Sequence, residues 1–192
     1  MNPVEMDLSE PAEYIHMLKS WGVSAVNVSC GSPYYNPHIQ RPALFPPSDG
    51  YQPAEDPMIN VNRHVQVVRQ LKQAVPDMPL VSTGLTYLQD YLPAVAQALV
   101  RKGWTDYAGM GRMVLSYPRM IADTLEKGTL EGKLICRTFS DCTTAPRNGV
   151  KSGCYPLDDY YRTSPEGEQV RKIKKEQRDG LKAAQAAVAP GE

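Results

Sequence analysis

The chain has 192 residues and a mass of 21.3 kDa, enough for one ordinary domain of roughly 100–200 residues. Lys+Arg and Asp+Glu are both 21, which excludes a nucleic-acid binder that relies on a broad basic field. With 42% apolar and 22% charged residues it reads as a soluble globular protein rather than a disordered one, and it lacks the ~18-residue apolar run of a membrane helix. The N-terminal residues carry neither a basic nor an apolar leader segment, so a cytoplasmic protein is expected. In that reducing setting Cys30, Cys136, Cys142 and Cys154 are expected as thiols or metal ligands rather than disulfides. Seventeen prolines, about 9% against a usual ~5%, exclude a simple helical bundle.

Residues 9–20 predict a helix capped by Ser9, with Pro11 in its first turn, Tyr14, Ile15 and Leu18 on one face, and Gly22 as its stop. The Val-rich run 23–30 predicts a buried strand. Residues 31–57 carry seven prolines and predict a long irregular loop, of a length that is usually functional or disordered. Its aromatic residues, Tyr34, Tyr35, Phe45 and Tyr51, argue against disorder. Residues 59–75 predict an amphipathic helix with Val61, Val65, Val68 and Leu71 inward, stopped by Pro76. A strand over 79–84, a helix over 91–102 with Val95, Leu99 and Val100 inward, a strand over 105–112 and a helix over 117–128 follow.

Strands alternating with helices imply parallel strands joined by helical crossovers, in an open doubly wound sheet or a (β/α)8 barrel. No G-x-G-x-x-G follows a first strand, and no Walker A lysine motif is present. In both architectures ligands bind at the carboxyl ends of the strands. Two strand ends here carry glycine beside polar groups, Ser82-Thr83-Gly84 and Gly109-Met110-Gly111-Arg112. Glycine amides approach a phosphate closely, and an arginine adds a forked, permanently charged donor. The bland alternative is that these glycines serve tight turns and Arg112 is a surface charge.

Three stretches, GVSAVNVSCGSPYY, PLVSTGLTY and GWTDYAGMGRMVLSYPRMIADTLEKG, resemble the old yellow enzyme family of FMN-dependent NADH:flavin oxidoreductases and ene-reductases. They resemble strands six, seven and eight of its barrel, over roughly residues 5–160. The resemblance implies an α/β fold: the C-terminal part of a (β/α)8 TIM barrel over residues 1–132. A Cys-containing extension over 133–164 and a charged helical tail over 165–192 would follow. It further implies that Thr83, Gly84, Gly111 and Arg112 hold the FMN phosphate, that NAD(P)H is the reductant, and that the substrate carries an activated double bond. Tyr34, with Tyr35, would line the substrate side of the flavin; the alternative is an aromatic that packs a proline-rich loop.

In the family the flavin ring and substrate are held largely from the first five strands, so no catalytic residue is assigned here. The chain is expected to be catalytically incomplete alone, to bind FMN weakly, and to associate with itself or with a missing N-terminal half. The alternative is a half-barrel that binds a phosphate ligand or serves as an assembly subunit.

Residues 133–158 resemble the extension of the dienoyl-CoA-reductase-like branch, whose four cysteines hold a [4Fe–4S] cluster. Cys142 and Cys154 keep the family's eleven-residue gap and Cys136 lies near the first position, but the second cysteine is missing. A cubane cluster takes four thiolates, so no cluster and no metal site are expected. The alternative is a metal-binding tail on Cys136, Cys142 and Cys154. His16 and His64 read as solvent-facing on helices, His38 as a loop residue, and Asp158 and Asp159 as part of an acidic-aromatic surface turn. Arg171, Lys172, Lys174 and Lys175 alternate with Glu168, Glu176 and Asp179, a pattern that reads as a solvated helix face with an exposed or frayed end.

Overall fold

A computed structural model describes residues 6–188. Helix α1, Ser9–Ser20, leads into strand β1, Val26–Val28. The short helix α2, Pro37–Gln40, interrupts the expected loop. Helix α3, Pro57–Ala74, precedes strand β2, Leu80–Ser82. A 3-10 segment, Leu85–Tyr91, runs into α4, Leu92–Arg101, and strand β3 is Tyr107–Ala108. Then come α5, Met113–Ser116, and α6, Met120–Lys127. Three further helices are α7, Asp141–Arg147, α8, Asp159–Arg162, and α9, Pro165–Val188.

The strands form one parallel sheet in the order β1-β2-β3, with Val28 opposite Ser82 and Ser82 opposite Ala108. The alternation of strand and helix anticipated this arrangement, but the strands are shorter than the apolar runs suggested. Gly109 continues β3's contact by donating its N–H to Ser82 O at 2.7 Å. The sheet leaves Asn27 of β1 exposed, and Tyr107 of β3 is 61% exposed.

The chain divides into two compact units, one of residues 1–44 with 53–138, the other of residues 45–52 with 139–192. In the first, α1 and α3 pack Ile15, Val67, Val68 and Leu71 against Val28 and Leu80 of the sheet. A second apolar cluster gathers Leu85, Leu92, Leu99, Met113, Tyr117 and Ile135. The fully buried Tyr117 donates its hydroxyl to buried Asp123 at 2.5 Å and accepts from Glu131 N–H at 3.1 Å, which ties α6 to the turn after it. Lys127 Nζ lies 3.0 Å from the same carboxylate. The Tyr117 hydroxyl and the Lys127 ammonium hold Asp123 below the usual aspartate range.

Four sequence expectations change. Ser9 is the first helical residue rather than the cap: the cap position falls on Leu8, and Asp7 Oδ1, one residue earlier, accepts from Ser9 N–H at 3.0 Å. Pro57 opens α3 instead of ending the loop, and Asp56 caps the helix by accepting from Met58 N–H at 2.7 Å. Val100 is 43% exposed rather than inward, because Leu92, Leu99 and the partly buried Val95 and Ala96 already fill the inner face of α4. Tyr14 is 53% exposed although Ile15, its neighbour, is in the core.

In the second unit, residues 45–52 dock onto α7 and α9. Ser140 Oγ donates to Phe45 O at 2.6 Å, Gln177 Nε2 donates to Pro47 O at 3.1 Å, and Ser48 N–H donates to Thr144 Oγ1 at 3.1 Å. Side chains supply the partners that an irregular backbone cannot find in its own segment. Ala145, Val150, Tyr155 and Val170 form the core of this unit. The exposed or frayed end was expected over the Ala-rich residues 181–189; α9 stays helical to Val188, and residues 189–192 lie outside the described residues. Among the described residues no helix is long and apolar enough to cross a membrane.

Candidate functional site

A cavity of about 570 Å³ opens at the carboxyl ends of the strands. Thr83, Gly84, Gly111 and Arg112, singled out in the sequence, all line it, because β2 and β3 are neighbours in register and their following turns meet. Gln40 and Arg41, at the end of α2, add to its wall. Two arginines and no Asp or Glu line the cavity. Arg41 went unnoticed in the sequence, since nothing in a proline-rich loop marks where its side chains will return to the sheet.

The glycines divide by cause. Gly84 sits at φ +80°, and a Cβ there would stand 2.7 Å from the His64 ring, so the fold itself demands glycine. At Gly109 a Cβ would stand 2.9 Å from Thr83 Cγ2, so close strand packing accounts for that residue too. Gly111 is different. It has no left-handed φ, and nothing lies within 4 Å of a Cβ placed there. No contact within the fold requires glycine at 111, as none does at Gly132 or Gly180.

Arg112 is half-buried and its Nη2 donates to Pro42 O at 2.8 Å. The guanidinium therefore braces the loop after β1 as well as lining the cavity. Thr83 Oγ1 donates to Val28 O at 2.5 Å. Its hydroxyl proton is committed to joining the β1 and β2 ends, which leaves its backbone N–H as the donor it can offer a ligand.

His64 corrects the expectation of a solvent-facing residue. It is 2% exposed, on the inner face of α3 beneath Gly84, and its Nε2 donates to Ile39 O at 2.9 Å. Spacing carried the signal: position 64 is three after Val61 and four before Val68, both buried. Burial pushes its pKa below the usual histidine value; the carbonyl contacts of Ile39 and Gln40 oppose this and the Arg112 charge adds to it. The unfolded chain takes up this proton near pH ~6.5 and the folded chain only below that. Stability is therefore expected to fall as pH drops from about 7.5 to 5.5. Melting temperatures across that range check it: the decline should shrink in His64→Gln, and an unchanged decline would place its origin elsewhere.

His38, expected in a loop, lies on the short helix α2 and contacts Glu55 at 3.1 Å, and Glu55 also takes both terminal guanidinium nitrogens of Arg63. These hydrogen bonds, Arg63 first, hold Glu55 below the usual glutamate range. His16 is exposed, as expected. Tyr34 and Tyr35 are 89% and 86% exposed and do not line the cavity.

Cys30 is buried just beyond β1, and burial pushes its thiol up to about 11. Cys136 lies in the first unit, where its N–H points to Met113 Sδ at 3.4 Å, while Cys142 and Cys154 belong to the second. Among the described residues no three His, Cys, Asp or Glu side chains gather into a group that could hold a metal ion. Family models, curated proteins and solved structures were all compared with the chain, and none gave a significant match.

Proposed function

We propose that the cavity at the ends of β2 and β3 receives the phosphate of FMN, and that the chain contributes this site to an FMN-dependent NAD(P)H oxidoreductase resembling the old yellow enzyme family. On this reading the three strands are strands six to eight of a (β/α)8 barrel, the setting is cytoplasmic, and the substrate carries an activated double bond. One observation carries it: a cavity at adjacent parallel strand ends, lined by two arginines and no carboxylate, with a glycine at 111 that the fold does not require. A dianionic phosphate fits such a donor set, because forked guanidinium donors match its oxygens in charge and geometry.

Arg112 and Arg41 would hold the phosphate, with the amides of Gly84, Gly111 and Thr83 around it. FMN, when bound, supplies the hydride chemistry. This chain's own residues bind and orient it, and none is assigned a catalytic step. Tyr34 is retained as a substrate-side residue on the resemblance alone.

A second reading, a phosphate-ligand binder without redox chemistry, draws on the absence of any thiol, carboxylate or histidine from the cavity wall. Titrating the chain with FMN, riboflavin and inorganic phosphate separates the two. FMN is expected to bind weakly but at least tenfold more tightly than either of the others. Equal affinity for FMN and inorganic phosphate favours the second reading, and equal affinity for FMN and riboflavin removes the phosphate site altogether.

A further inference from the structure

The second unit holds a cavity of about 510 Å³, within the ~300–1,000 Å³ range of small-molecule sites. Phe45, Pro46 and Phe139 form an apolar wall, and α9 forms a cationic one. Arg171, Lys174, Lys175, Arg178 and Lys182 all line it. Their spacing is i, i+3, i+4, i+7 and i+11, which at about 100° per residue confines them to an arc of roughly 100°. Glu168, Glu176 and Asp179 fall to one side of that arc. The alternation of charge in the sequence hides this segregation: read linearly it is a mixed surface, and wound into a helix it is a basic stripe.

Asp141 is the one carboxylate on the cavity wall among the described residues, and it is taken by Lys174, which also donates to Phe139 O at 2.9 Å. Arg171 donates to Arg162 O at 2.8 Å, a contact that leaves its charge uncompensated. Among the described residues Arg178 pairs only with the exposed Asp179, at 3.3 Å, and Lys175 makes no ion pair. The cavity therefore carries a surplus of positive charge.

Opposite the stripe, Phe45 and Phe139 stack with ring centroids 5.8 Å apart and planes 29° from parallel. Phe45 lines the cavity and keeps 47% of its surface exposed, so its ring is accessible to a second planar group.

We infer that this cavity binds a nucleoside polyphosphate: a flat heteroaromatic ring against Phe45, and two or more phosphates along Arg171, Lys175 and Arg178. The stripe from 171 to 182 runs about 16 Å along the helix, which suits several anionic groups in a row. A fatty acid places a single charge at one end of its chain and would leave most of the stripe unmatched. The volume accommodates one nucleotide, which sets this ligand apart from a polynucleotide strand. The inference goes beyond the FMN site and does not rest on it.

Calorimetric titration of the full chain with ADP, adenosine and inorganic pyrophosphate tests it. ADP is expected to bind, and to bind more tightly than either part alone. Lys175→Glu with Arg178→Glu should weaken ADP at least tenfold, while Phe45→Ala should remove the advantage of ADP over pyrophosphate. In an Arg112→Ala background the charge variants should still weaken ADP at least tenfold, which keeps this site distinct from the cavity at the strand ends. Lys175 is exposed, so Lys175→Glu alone repeats the charge arm without disturbing a packed side chain. Three results would overturn the inference: no ADP binding, ADP binding insensitive to the charge variants, or binding of an oligoribonucleotide but not of ADP.

Discussion

Arg112→Ala is expected to weaken FMN binding at least tenfold, about 1.4 kcal/mol, while leaving riboflavin binding unchanged. Hydrogen bonds to a charged group are worth about 1.5–3 kcal/mol, and a half-buried guanidinium is desolvated enough to approach that range. The residue has a second task, since its Nη2 holds Pro42 O at 2.8 Å. Truncation therefore also releases the loop after β1, and the riboflavin control separates the two effects. A phosphate contact costs FMN alone; a loop that has lost its brace costs both ligands alike.

Lysine at 112 keeps the charge but not the fork, so Arg112→Lys should fall between the native chain and Arg112→Ala. Gly111→Ala completes the set. With open space around its Cβ it should change stability by no more than about 0.5 kcal/mol, yet it should lower FMN affinity if the phosphate lies against that backbone.

Gly84→Ala is expected to destabilise the fold by about 2–5 kcal/mol. A left-handed conformation costs a residue with a Cβ about 1–2 kcal/mol. The new methyl would also meet three atoms of the His64 ring at 2.7–2.8 Å. His64 is 2% exposed and tethered to Ile39 O, so it has little room to yield, and overpacking of this kind costs about 1–3 kcal/mol. For a chain of this length the melting temperature should drop by about 5–15 °C. Gly84→Ala with His64→Ala should recover part of the loss, because the second change opens space for the methyl. A melting temperature within 2 °C of the native value for Gly84→Ala would contradict the packing described beneath the cavity.

Much of the first unit was legible in the sequence because periodicity and punctuation agreed there. The bounds of α1 match the sequence expectation, and Asp56-Pro57 marks the start of α3 by cap and first-turn chemistry once Pro57 is read as an opener. That the strands are parallel followed from the alternation of elements; their order β1-β2-β3 did not, and the adjacency of β2 and β3 brought Thr83, Gly84, Gly111 and Arg112 to one cavity. What failed was long-range. Arg41 joins the cavity from a loop, and Arg112's carbonyl partner lies 70 residues away. No local signal encodes either.

The prolines in residues 31–57 announced irregular backbone but not that residues 45–52 would pack with α7 and α9 instead of the sheet. The basic stripe of α9 illustrates the converse. Its spacing was present in the sequence, but only the aromatic pair from two distant segments turns a charged helix face into a cavity wall.

The 31P resonance of FMN reports on the phosphate itself and so tests the assigned contact most directly. On addition of the native chain the resonance is expected to shift or broaden, and Arg112→Ala should abolish the change. An FMN phosphate resonance unaltered by the native chain, or altered equally by Arg112→Ala, would contradict the assignment of the strand-end cavity as a flavin phosphate site.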